Sequence, residues 1–241
     1  MKIIKVDDYE KMSEAAAALL ADVLSEKEDA LVGLATGSSP IGLYKKLIEW
    51  NKEGTINFEK VRTVNLDEYV GLPRESKNSY YSVMHEFLFD HINIKKENTY
   101  LPNGMNDNPD EECESYKKLI ESLGGVDVQI LGVGHNGHIG FNEPGTSFES
   151  DVHVVELTND TINANKRFFE SEDDVPKKAI TMGIGTIMKA KKIILIASGE
   201  SKADIMKKII EGPVTEDVPA SVLQNHPDCI IIADKDALSK I

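Results

Sequence analysis

The stretch Asp127–Gly145, D-V-Q-I-L-G-V-G-H-N-G-H-I-G-F-N-E-P-G, decides how the chain is read. Val128 to Val133 is short, apolar and partly β-branched, the pattern of a strand buried on both faces. It empties into Gly132, Gly134, Gly137 and Gly140, which break regular structure and let backbone approach a ligand. Among them stand His135, Asn136, His138, Asn142 and Glu143. A strand ending in a glycine-rich loop with a base, an amide and a carboxylate has the form of an active site at the carboxyl end of a parallel sheet.

Three other readings of this stretch carry less weight, the blandest being a polar loop with surface histidines, which a histidine, an amide and an acid packed among four glycines disfavour. Gly132, Gly134 and Gly137 match the dinucleotide fingerprint, with Glu156 near the offset of a ribose-binding acid. That fingerprint must open a helix, however, and Gly140, Pro144 and Gly145 forbid a long one. His135, His138 and Glu143 are metal-ligand types, yet no cysteine cluster or third histidine is nearby, so neither a metal nor a redox cofactor is expected.

Outward from the stretch, apolar runs alternate with helical patterns. Lys2–Val6, Ala30–Ala35, Val61–Leu66, Val152–Leu157, Ala179–Met182, Ile193–Ala197 and Cys229–Ala233 read as strands. Helices are expected after Asp7 or Asp8, over Ile41–Trp50, Asn78–His91 and Pro109–Leu123, and over Ser201–Glu211. This alternation predicts a parallel sheet covered on both faces. The 241 residues, with no repeat or linker, suit one α/β domain over 1–241. The polar interval Ser171–Lys178 reads equally as a lid hinge or a plain surface loop, and His85, His91, His153 and His226 read as structural.

A net charge of −14 without a basic cluster argues against nucleic acid and anionic membranes as partners. Any anionic substrate must then meet a local positive site. Cys113 and Cys229 suit reduced thiols, and no apolar run reaches the length of a signal peptide or a membrane span, so a cytoplasmic protein is expected.

Three strand ends carry chemistry. A-T-G-S-S-P at 35–40 offers Thr36, Gly37, Ser38 and Ser39 before a helix start, which suits a phosphate. N-L-D-E-Y at 65–69 puts Asp67 and Glu68 directly after a strand, and alternation lets only one of them face a pocket. The third is the 132–145 loop. Arg167 and Lys202 could complete an anion site, although spacing alone does not select them from the 27 basic residues.

L-A-T-G-S-S-P, N-L-D-E-Y-V-G-L, G-H-N-G-H-I-G-F-N-E-P-G, N-K-R-F-F, T-M-G-I-G-T-I-M, S-G-E-S-K-A and P-A-S-V-L-Q-N-H-P together resemble the signatures of the glucosamine-6-phosphate deaminase family, in its order and over nearly the whole chain. The resemblance implies a Rossmann-like three-layer α/β/α sandwich with a mostly parallel central sheet. It implies conversion of D-glucosamine 6-phosphate and water to D-fructose 6-phosphate and ammonia in amino-sugar catabolism. It maps the enolisation base onto Asp67, the ring-opening residues onto Asn136, His138 and Glu143, and the substrate contacts onto Thr36, Gly37, Ser38, Ser39, Gly137, Arg167 and Lys202.

Two departures stand out. Many members carry Asp where this chain has Asn136, and an amide orients a histidine but relays no proton. The chain stops at Ile241, and His153 and Val155 replace basic residues that longer, allosterically regulated members carry. A compact, unregulated form is expected, a monomer or small homo-oligomer. Related 6-phosphogluconolactonases share the fold and a G-H loop, so a lactonase is the alternative, and a non-catalytic sugar-phosphate sensor the second.

Overall fold

Most of the apolar runs assemble into one sheet, each being short, β-rich and bounded by polar turns. The computed structural model describes residues 1–158, 162, 169 and 175–241. Strands β1 (Lys2–Val6), β2 (Leu31–Leu34), β3 (Arg62–Asn65), β5 (Thr99–Tyr100), β6 (Val128–Leu131), β9 (Lys192–Ala197) and β10 (Cys229–Asp234) make a seven-stranded sheet. Their order is β1-β10-β9-β6-β2-β3-β5 and every pairing is parallel.

Strand alternation sends side chains to both faces. On β9, Ile193, Leu195 and Ala197 join one hydrophobic cluster, while Ile194 and Ile196 join another. Helices α1 (Tyr9–Glu26), α2 (Ile41–Lys52) and α3 (Tyr80–Phe87) close the second with Met12, Leu20, Leu43, Leu47 and Met84. On the other face, α4 (Pro109–Ser122), α5 (Ile184–Ile187) and α6 (Ala203–Glu211) supply Tyr116, Ile120, Ile187, Met206 and Ile209. The result is the expected three-layer α/β/α sandwich. Helix starts follow their caps: Asp8, Ser79 and Asn108 accept the backbone N–H of Lys11, Ser82 and Glu111.

The expectation of strands near 152–157 and 179–182 holds, but neither strand enters the parallel sheet. β7 (His153–Glu156) and β8 (Lys178–Thr181) pair antiparallel with each other, and β8 with β4 (Asp67–Tyr69), in the order β4-β8-β7. Leu66 is the joint: its N–H donates to Leu34 O and its carbonyl accepts from Met182 N, so the chain passes there from one sheet to the other. The helix expected over 78–91 is shorter, because Leu88 leaves helical geometry and a single 3-10 turn, Phe89–His91, follows. His85, His91, His153 and His226 each bond to a nearby carboxylate or carbonyl, as structural histidines do.

At the opposite, amino edge, Asp127 ties β2 to β6. It accepts from Leu31 N (2.8 Å), Lys27 Nζ (2.7 Å) and Lys191 Nζ (2.8 Å). Burial pushes its carboxyl up, but Lys191, Lys27 and the Leu31 amide outweigh burial and hold it below its ordinary range. Its contribution to stability is therefore present above the unfolded value and lost as pH falls through the folded one. Because the lysines are solvated, the main loss in Asp127→Ala is the acceptor of a buried amide. Urea unfolding should show about 1–3 kcal/mol of destabilisation in that variant.

Candidate active site

Chain direction across the sheet diverges between two neighbouring strands. From β2 the chain moves to β3 and β5; from β6 it moves the other way, to β9 and β10. The loops after β2 and β6 therefore part, leaving a crevice at the carboxyl edge, where open α/β sheets bind ligands. A cavity of about 310 Å³ lies there, bordered by the Thr36–Ser39 loop, Asp67, Tyr80, His138, Phe141 and Lys202. A larger cleft, about 450 Å³, runs between the end of α1 and residues 55–60. It holds Glu28, Glu59 and Lys60 but no histidine and no strand end. The strand-end cavity is the one with chemistry.

The Thr36–Ser39 loop turns at Gly37, whose φ of 91° favours glycine. Tyr9 braces it from α1, its hydroxyl donating to Ser38 O (3.0 Å) and Ser39 O (3.2 Å) and accepting from Gly42 N (2.8 Å).

Asp67 opens β4 just beyond the sheet-to-sheet joint, and its carboxyl faces the cavity with only 6% of the residue exposed. Burial, then the charge of Glu68, pushes it up to about 8. Glu68 turns the other way and accepts three backbone N–H groups.

His138 is set by its loop. Gly134 leaves room for the imidazole: a Cβ there would stand 2.2 Å from His138 Cε1. Asn136 Oδ1 accepts the His138 amide at 3.2 Å, and Asn136 Nδ2 donates to Glu143 Oε2 at 2.6 Å. Glu143 Oε1 then faces His138 Nδ1 at 3.5 Å, an ion-pair separation longer than a full hydrogen bond. Buried Asn142 pins the loop by donating to Ile139 O and Met182 O, both at 2.8 Å.

The cationic corner comes from the next strand. After β9, Asp234 accepts from Ser198 Oγ and Gly199 N, fixing the turn that carries Lys202. Lys202 Nζ donates to Val133 O at 2.8 Å, and burial lowers its pKa. The positive charge of Lys202, then burial and His138, lowers that of His135 on the same rim.

Thr36, Gly37, Ser38, Ser39, Asp67, His138 and Lys202 thus share one cavity. Asn136 and Glu143 stand behind His138 rather than on the wall. Gly137, expected to touch substrate, is off the wall as well; it has φ of 89° and packs toward Val218 and Ile205. Arg167 lies outside the described residues. Sequence reading missed the aromatic wall. The Tyr80 and Phe141 rings lie 6.2 Å apart and nearly parallel, at 6°, and the Tyr80 hydroxyl donates to the Tyr69 hydroxyl. Tyr80 reads as one more residue of a helical stripe, and only the fold turns it to the cavity. The 132–145 loop contains no helix, so the dinucleotide reading lapses. Among the described residues, no group of three or more His, Cys, Asp or Glu is arranged to hold a metal, and no helix is long and apolar enough to cross a membrane.

The fold and the crevice define a doubly wound α/β protein with a pocket at its topological switch point. The family described as "Glucosamine-6-phosphate isomerases/6-phosphogluconolactonase" matches residues 7–231, and the chain belongs to it. It is 55% identical to the glucosamine-6-phosphate deaminase of Thermoanaerobacter pseudethanolicus, over all of this chain and 95% of that one. The namesake from a Geobacillus species is 54% identical over all of this chain and 96% of its own. A solved monomeric glucosamine-6-phosphate deaminase superposes with a TM-score of 0.97 at 48% identity, covering both chains completely. The 6-phosphogluconolactonase of Trypanosoma cruzi shares the fold alone, with a TM-score of 0.79 at 22% identity, over all of this chain and 96% of that one.

Because the fold raises the Asp67 pKa, it favours the neutral carboxyl. The associated stability is complete below the unfolded value, near 3.8, and is lost as pH rises to about 8. Asp67→Asn never carries the charge. Thermal melts should therefore show Asp67→Asn gaining on the wild type from about pH 5 upward, with the gap levelling off above about pH 8.

Proposed function

We propose that this chain is a glucosamine-6-phosphate deaminase, a hydrolase that converts D-glucosamine 6-phosphate and water to D-fructose 6-phosphate and ammonia. It acts as one domain over 1–241, in the cytoplasm, as a monomer or small homo-oligomer. The observation that carries the reading is a buried carboxylate, Asp67, on the same cavity as His138, with Glu143 behind the imidazole. A lactonase needs only a base for water. A deaminase needs a second base, for the hydrogen on C2.

The phosphate sits between the Thr36–Ser39 loop and Lys202, where hydroxyls, a helix start and a point charge meet. Arg167 adds a guanidinium fork in this reading. The closed sugar must open first, since an acetal C1 does not delocalise charge from C2. His138 takes the proton of the C1 hydroxyl and delivers one to the ring oxygen, while Glu143 orients the ring and stabilises its cationic form. Asn136 holds Glu143 and the loop but relays no proton.

The open aldehyde acidifies the C2 hydrogen. Asp67 removes it and returns it to C1 while a proton passes from the C2 ammonium to O1, giving an iminium at C2 that water converts to the ketone with loss of ammonia. Burial disfavours the Asp67 carboxylate, and the substrate's C2 ammonium, arriving beside it, favours it again.

A coupled assay should detect ammonia and fructose 6-phosphate from glucosamine 6-phosphate. Asp67→Asn should lose about 10²–10⁴-fold in kcat with KM retained. The acid limb of kcat/KM should lie at higher pH than that of kcat, because bound substrate stabilises the carboxylate. Full turnover in Asp67→Asn would remove the proposed base. Hydrolysis of 6-phosphogluconolactone without ammonia release would make the protein a lactonase, and binding without either reaction a sensor.

A further inference from the structure

The reaction above gives Glu68 no part, yet the fold buries it between two residues of the cavity wall, next to Asp67 in the chain and bonded to the Tyr80 amide. The residue is 2% exposed. Oε1 accepts from Tyr69 N (2.8 Å) and Tyr80 N (3.0 Å), and Oε2 from Tyr81 N (2.9 Å). Tyr80 and Tyr81 open α3, so a helix's positive end faces a buried carboxylate. Ser79 already caps that helix through Ser82 N at 3.1 Å, as a neutral residue does without repelling a nearby acid. Glu68, by contrast, sets a second buried carboxylate directly beside Asp67, where like charges oppose each other. Tyr80, whose amide it holds, lines the cavity together with Thr36 and Asp67.

We propose that Glu68 is a positioning residue that locks β4 to α3, so that Asp67 and Tyr80 share one wall, and that its charge acts on the Asp67 carboxyl. Burial is the first cause of the raised Asp67 value and Glu68 the second. The other groups around Asp67 are Tyr80 of α3 and Tyr116 of α4, both kept protonated by burial, with His138 and Lys202 across the cavity. Glu68 itself is pushed up by burial, against which the Tyr80, Tyr81 and Tyr69 amides and Arg74 act. Three donors thus hold in place a negative charge that works against ionisation of its neighbour. The result is a base that stays protonated until a cationic substrate arrives. The kinetic part of this inference rests on the deaminase reading; the titration does not.

The test is carbon-13 NMR of carboxyl-labelled Asp and Glu across pH, with Asp67→Asn assigning the Asp67 signal, beside pH profiles of ammonia release. In the wild type, Asp67 should titrate well above the ordinary value near about 4, and the Glu68 signal should respond in the same step. Glu68→Gln should bring the Asp67 midpoint down by about half a unit or more and move the acid limb of kcat/KM with it. Ser79→Ala, which loosens the same helix start without changing charge, should lower Tm and leave the Asp67 midpoint where it is. A folded Glu68→Gln with an unmoved midpoint overturns the proposal. So does a wild type in which the Glu68 signal ignores the Asp67 step, a result that needs no variant at position 68 to fold. If the wild type releases no ammonia, the deaminase reading falls while the titration still decides the role of Glu68.

Discussion

A single topological constraint underlies the site: all strands of the main sheet are parallel, and the chain departs in opposite directions from β2 and β6. Parallel strands bring every carboxyl end to one edge. The divergence keeps the two central loops from crossing the gap between them. The Thr36–Ser39 loop and the 132–145 loop face each other there because they follow the carboxyl ends of β2 and β6, which are parallel neighbours. The small antiparallel sheet then works as a bracket. It leaves the main sheet at Leu66 and sets Asp67 on the open side of the gap.

The bracket places two carboxylates in a dry environment, against their own stability. Elsewhere the fold stabilises a buried acid with cations, at Asp127, or with a hydroxyl and backbone amides, at Asp234. Around Glu68 it uses backbone amides at a helix start, and among the described residues no cation forms an ion pair with Asp67. The raised Asp67 value follows from that difference in partners. A carboxyl poised near neutrality gains or loses its proton readily, which general-base chemistry requires and a structural ion pair prevents.

Charge is also divided between surface and site. The chain carries a net charge of −14, yet one corner of the cavity gathers Lys202, His135 and His138. A dianionic ligand would meet a repulsive surface and, at this corner, the charge of Lys202, so its recognition would rest on short-range contacts inside the crevice. Lys202 is tethered to Val133 O and half-buried, and its charge depresses His135 rather than dispersing into solvent.

The sequence by itself determined the layers and the anchor points. Alternation of apolar runs with helical stripes is a local signal, and it foretold the parallel sheet, both covered faces and the strand ends carrying Thr36–Ser39, Asp67 and His138. Glycine and cap residues act within a few positions, so the loop shapes around Gly37 and the start of α1 were legible as well. Only the tertiary structure decided that β7 and β8 leave the main sheet, since pairing partners far apart in sequence leave no periodic trace. It alone turned Tyr80 and Phe141 into a wall, moved Gly137 off it, and set Asn136 and Glu143 behind His138. It also supplied the physical difference between Asp67 and Glu68, which strand alternation left open and only the family resemblance had assigned. Adjacent carboxylates are equivalent in a string of letters, and they differ only once burial and hydrogen-bond donors are distributed around them in space.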